Sequence, residues 1–222
     1  MTINFEPSFS IPINSVKIMF DDNVNVFSMT EYEGTWTVDL SLSEGNYNYR
    51  FLLNNRIFIN DPTANLYVAD NTNTIWSVLS IDTNGERIYN NEEYTVNIED
   101  YSLSNSTDEN SEIKSSFDTD KDKVTAAKFK FTNVTGLHTI NVLWIDPGGD
   151  FFDITENSLY EQEFGENTTV FFCLDYTNDS VHFEQGVWFL LLLIDGNCVL
   201  EDKFTLENTK QRSTVIDFDL KI

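Results

Sequence analysis

Basic residues, cysteine, histidine and proline are all scarce in this chain. Its 222 residues hold 13 Lys and Arg against 37 Asp and Glu, for a net charge of −24. Nucleic acid is excluded as a partner, because phosphate binding needs clustered Lys and Arg. An anionic membrane surface is disfavoured for the same reason. Two cysteines, Cys173 and Cys198, make no disulfide framework. They are expected as free, mostly buried thiols in a reducing compartment. Met1–Phe20 lacks a basic n-region and a continuous apolar core, so no signal peptide is read there, and a cytoplasmic location is expected. The longest apolar run, Val187–Ile194, has eight residues, against roughly 20 needed to span a bilayer. Four sequons, at Asn105, Asn133, Asn167 and Asn178, are read as chance matches in an Asn-rich chain.

Catalytic and metal signatures are missing too. His138 and His182 stand in no metal-ligand spacing and are read as structural. Cys173 lies in an apolar strand with no base nearby. Asp118-Thr-Asp120-Lys-Asp122 begins like a calcium loop, but Lys123 takes the glycine position and Phe129 the final glutamate position. No phosphate-binding or dinucleotide motif and no nucleophile elbow is present. No cofactor, no metal and no catalysis are expected.

What is abundant is aromatic: 18 Phe, 9 Tyr and 4 Trp. Aromatic and β-branched residues in short runs, punctuated by Asn, Gly and Asp, read as strands and turns. No segment shows a helical period. Strands are expected at Val16–Phe20, Thr35–Leu42, Tyr47–Leu53, Arg56–Asn60 and Thr74–Ile81, after a proline-bearing leader, 1–14, read as an edge strand or a loose arm. Residues 82–122 carry three bases against twelve acids, and Glu99–Asp122 is rich in Ser and Asn, the composition of a solvated linker. Beyond it, strands return at Phe129–Phe131, Leu137–Ile145, Phe151–Ile154, Thr169–Tyr176, Val187–Ile194 and Cys198–Leu206, with turns at Asp146-Pro147-Gly148-Gly149 and Asp195-Gly196-Asn197. The expected architecture is all-β: two tandem immunoglobulin-like sandwiches, 1–81 and 123–222, joined by an acidic linker, 82–122. Trp36, Trp144 and Trp188 are read as core.

Within the first sandwich a set of motifs runs in order. A strand leads to Asp22-Asn23-Val24-Asn25-Val26-Phe27, then Gly34-Thr35-Trp36, then Glu44-Gly45 with Tyr49-Arg50-Phe51, then Phe58 before Asp61-Pro62, then Asn71-Thr72-Asn73-Thr74-Ile75. On these motifs residues 15–81 resemble the glycogen-binding module of AMP-activated protein kinase β subunits, which is also the N-terminal domain of isoamylases and branching enzymes. The resemblance implies a non-catalytic α-glucan site. Two rings would stack on the sugar and would be Phe27 and Phe58, where the family has Trp. Arg50 and Asn73 would hydrogen-bond its hydroxyls. Ile57 competes with Phe58 for the second ring, and Trp76 is either a further stacking residue or core.

The first expectation is therefore an intracellular glycogen- or starch-like glucan-binding protein, an accessory or targeting factor, whose second sandwich meets a protein partner or a second copy. The alternative is a structural or interaction scaffold that keeps the module's fold without the sugar.

Overall fold

The computed structural model describes residues 1–22, 24–89, 94–108, 111–163, 165–177 and 181–208. Asn23 of the first turn and the sequon residue Asn178 lie outside them. The fold is all-β, two immunoglobulin-like sandwiches in sequence.

The first sandwich holds β1 (Thr2–Phe5), β2 (Val16–Phe20), β3 (Val26–Ser28), β4 (Thr30–Tyr32), β5 (Thr35–Asp39), β6 (Gly45–Leu53), β7 (Ile57–Ile59), β8 (Tyr67–Ala69), β9 (Ile75–Ile81) and β10 (Arg87–Ile88). One sheet has the order β1-β5-β4; the other runs β10-β9-β6-β2-β3, with β7 beside β6 and β8 beside β9. Alternation decides the faces. Val16, Ile18 and Phe20 on β2 and Tyr49, Phe51 and Leu53 on β6 point to one side, and all six are buried. Ile3 and Phe5 of β1 close over them; the Phe5 and Phe51 ring centroids lie 4.7 Å apart. Asn54 and Asn55 both take positive φ, 51° and 56°, and turn β6 into β7; Asn is one of the few side chains that tolerates this conformation.

The second sandwich holds β11 (Asn97–Ser104), β12 (Ser116–Asp118), β13 (Val124–Thr132), β14 (His138–Ile145), β15 (Phe151–Leu159), β16 (Asn167–Asp175), β17 (Gly186–Ile194) and β18 (Asn197–Glu207). Its sheets run β11-β13-β16 and β12-β18-β17-β14-β15. Trp144 and Trp188 are fully buried between them, as expected. Asp195-Gly196 is a two-residue hairpin turn, with φ of 54° and 89° and Ile194 paired to Asn197.

Two sequence expectations change and one is narrowed. The region read as a linker is largely structured. β10 extends the first sandwich past residue 81, and β11 and β12 belong to the two sheets of the second. Their polar composition reflects edge positions with one wet face, where alternation is diluted by acids. The leader begins as an edge strand, one of its two readings, and its remainder is not a loose arm. Thr2–Phe5 pairs with β5, and Phe9, Ile11 and Ile13 then pack against the core. The thiols are free, but Cys173 is exposed, because it alternates outward on β16.

The sandwiches also share apolar packing. Leu143, Ile145, Leu191 and Leu193 face away from the Trp144–Trp188 core, yet are buried and cluster with Ile18, Phe51, Ile57 and Ile59 of the first sandwich. Burying such side chains contributes of order 2 kcal/mol each. The first sandwich thus covers the outer face of the β14–β17 pair.

Candidate functional site

Cross-strand register sorts the five expected glucan-site residues onto different faces. Directly paired residues share a face. Phe27 pairs with Ile18, and Ile18 with Phe51, so Phe27 turns to the core side of its sheet. Its ring lies 6.1 Å from that of Phe20, edge to face, and it keeps 38% exposure at the sandwich margin. Arg50 pairs with Met19, and Leu52 with Phe58, which puts Arg50 and Phe58 on the opposite, outer face. Trp76 is on that outer face too, since its neighbour Ser77 pairs with the core residue Tyr49. The two rings of the expected platform are therefore separated by the sheet. Ile57, the competitor for Phe58, is buried on the core side.

Arg50 is occupied. It is only 6% exposed. Its Nη2 donates to a carboxylate oxygen of Glu156 on β15 of the second sandwich, and to the carbonyl of Phe58 at 3.2 Å. The guanidinium carbon lies 5.6 Å from the centre of the Phe58 ring. Asn141 on β14 donates its amide to the same Glu156 oxygen at 3.0 Å. A carboxylate is a stronger acceptor for guanidinium than a neutral hydroxyl. The position that would serve a sugar is thus filled by a charged side chain of the other half.

Trp76 is 5% exposed, and its indole N–H donates to Asp70 Oδ2 at 2.9 Å. Asp70 also accepts from the Thr72 hydroxyl at 2.6 Å and from the N–H groups of Thr72 and Thr74 at 2.7 and 3.0 Å. These donors, the Thr72 side chain first, hold its carboxyl at a pKa of about 2. Asn73 sits at the tip of this loop with φ of 62°, its N–H bonded to the Asp70 carbonyl at 3.1 Å. Both residues are thereby engaged in shaping the loop. Of the five, the structure brings Arg50, Phe58 and Trp76 to one face and buries Arg50 and Trp76 there.

Sequence reasoning missed the other residues that join the two sandwiches. Arg56 sends its guanidinium to the carbonyls of Phe151 and Phe152, at 3.1 and 2.6 Å, and stacks 4.6 Å over the Phe151 ring. Ser8 Oγ accepts from the Cys198 N–H at 2.7 Å. Gly196 lies so close to the Asn60 carbonyl that a Cβ would fall 2.0 Å from its oxygen. The Asp61-Pro62 corner is held in place for this contact. Asp61 donates its N–H to Ser77 Oγ at 2.8 Å and accepts at its carboxylate from the Tyr49 hydroxyl, while Tyr67 donates to its carbonyl at 2.8 Å. A signal was available in the apolar run Val187–Ile194: a strand apolar on both faces is covered on both faces.

The remaining polar clusters are internal. His138, 2% exposed, bonds Asp195 through Nδ1 at 2.6 Å and the Thr135 carbonyl through Nε2 at 2.9 Å. Burial alone would lower its pKa, but the bond to Asp195, its charge and the Thr135 carbonyl outweigh that and raise it. In the Asp118–Asp122 loop the cations are lysines: Lys114 Nζ bonds both Asp122 oxygens at 2.9 and 2.7 Å, and Lys121 Nζ lies 2.7 Å from an Asp118 oxygen. Among the described residues no cluster of His, Cys, Asp and Glu is arranged to hold a metal ion. No helix of the described chain is long and apolar enough to cross a membrane.

No family model matches the sequence, and no curated protein matches it. Several solved structures are similar in part. An immunoglobulin-like protein from Pseudomonas aeruginosa is 17% identical over 51% of this chain and 97% of its own, with a TM-score of 0.37. A β-glucosidase from Listeria innocua, in complex with glucose, is 13% identical over 56% of this chain and 17% of its own, with a TM-score of 0.35. A DUF3823 family protein from Parabacteroides merdae is 10% identical over 93% of this chain and 98% of its own, with a TM-score of 0.28.

Proposed function

We propose that this chain is a non-catalytic scaffold in which a glycogen-module-like sandwich keeps the frame of its relatives and uses the glucan-facing side to dock the second sandwich. One observation carries this reading: Arg50, which would hydrogen-bond the sugar, is buried and ion-paired to Glu156 of the second half. Phe27 adds to it, since it faces the other side of the sheet from Phe58. A stacking platform needs its rings on one exposed surface. The use of such a rigid body is to present its outer edges and loops to protein partners.

The test is native affinity electrophoresis of the full chain in gels with and without glycogen, alongside Phe58→Ala. The scaffold reading expects equal mobility in both gels for both proteins. Retardation of the wild-type chain by glycogen, reduced in Phe58→Ala, would overturn it in favour of a glucan-binding accessory factor.

A further inference from the structure

Sheet edges are where an all-β protein meets other chains, and most edges here are protected. An open edge offers unpaired N–H and C=O groups, which proteins guard with short strands, charges, bulges or covering side chains. β3, β4, β8, β10 and β12 have only two or three residues each. β11 is long but carries Glu99 and Asp100 and a bulge between Ile98 and Asp100. β15 carries Asp153 and Glu156, and Arg56 caps the carbonyls of Phe151 and Phe152. The stretch of β18 beyond its pairing with β12 bears Glu201, Asp202 and Lys203.

β16 differs from all of these. It is the end strand of its sheet, nine residues long, paired to β13 in an unbroken register from Asn167 to Asp175. Asn167–Leu174, NTTVFFCL, has no charge and no proline, in a chain of net charge −24. Its outward side chains, Thr169, Phe171 and Cys173, are uncharged, and Cys173 is exposed.

We propose that β16 is a homotypic interface, pairing antiparallel with β16 of a second copy across a two-fold axis at Phe171. The strand is complementary to itself in that register. It is the one register that overlaps all nine residues, and it sets Asn167 of each copy opposite Asp175 of the other. The only charges on the strand then meet amide donors rather than each other, so the general repulsion between two polyanions is relieved at the contact. Thr169 faces Cys173 of the second copy, and the three-stranded sheet becomes a continuous six-stranded one. The proposal deepens the scaffold reading by naming one partner, and the glycogen gel tests that reading separately.

The experiment is sedimentation velocity on the full chain over a concentration series, with two variants. Phe171→Glu places a carboxylate opposite Lys128 of its own β13, which suits the fold, and opposite its own copy across the axis. The proposal expects a dimer for the wild type and, for Phe171→Glu, a monomer that keeps the wild-type circular dichroism spectrum and unfolds cooperatively at a temperature independent of concentration. Thr169→Cys should give a covalent dimer through Cys173 on mild oxidation, seen on a non-reducing gel. Within one strand the two positions are about 13 Å apart, too far for a disulfide. A wild-type monomer at every concentration overturns the proposal, as does a dimer that survives Phe171→Glu without the Thr169→Cys crosslink.

Discussion

Arg50 and Glu156, 106 residues apart in sequence, form an ion pair that joins the two sandwiches, with side-chain exposures of 7% and 28%. The guanidinium is the more buried partner and depends on Glu156 for its counter-charge. Removing one member of a buried pair strands the other, which costs about 3 kcal/mol at the lower end of the usual range, fitting a carboxylate that keeps some water contact. Glu156→Ala is expected to lose that much stability in urea unfolding. Arg50→Met combined with Glu156→Ala should lose clearly less than the two single losses summed, since no charge is left unpaired. Additive losses would show that the pair is not coupled.

Gly196 and Gly149 make a matched comparison. Both have positive φ, 89° and 85°, but only Gly196 has a backbone oxygen where a Cβ would go. Gly149→Ala should cost about 1–2 kcal/mol for the left-handed conformation alone. Gly196→Ala should cost more, because the Asn60 carbonyl must also retreat. Equal losses in thermal unfolding would mean that the Asp195-Gly196 turn does not rest on the first sandwich.

His138 makes stability depend on pH in a stated direction. Its folded pKa is raised, because the bonds to Asp195 and the Thr135 carbonyl outweigh burial, so the folded state favours the imidazolium. That contribution is complete below the unfolded value of about 6.5 and is lost as pH rises through the folded value. Urea midpoints should therefore fall on going from mildly acidic to alkaline pH, and His138→Gln should remove that part of the slope. A slope unchanged in His138→Gln would contradict the assignment.

The Asp70–Trp76 bond is read most simply by NMR. Asp70 is held at a pKa of about 2 by the Thr72 hydroxyl, then by the Trp76 indole and backbone N–H groups. The indole N–H resonance of Trp76 should therefore stay constant down to about pH 3 and shift only below it, as the carboxylate is protonated. A shift centred near the ordinary Asp value of about 3.9 would indicate that the bond is absent.

The strands were legible because alternation and turn chemistry are local. Ile18, Phe51 and Leu79 alternate inward, and Asp195-Gly196 can hardly be anything but a hairpin turn. The edge strands were less so. β11 and β12 carry polar residues because one side is wet, and in isolation that composition resembles a linker. The site was legible only as motifs in order. Which face Phe27 occupies depends on its pairing with Ile18, and pairing is not written in any single strand. The partner of Arg50 was beyond reach, since no local pattern links position 50 to position 156. Asn141, a buried polar residue set among the apolar residues Ile140–Ile145 of β14, was the nearest thing to a clue.

The docking of β6 and β7 onto the second sandwich is tested most directly by native-state hydrogen exchange in graded urea, comparing amides of β6 and β14 in the wild type and Glu156→Ala. Both strands are expected to open in one shared unfolding step, and the variant should lower that step for both by the same amount. If β6 opens earlier on its own, in a step that Glu156→Ala leaves unmoved, the docking is absent and the scaffold account is wrong.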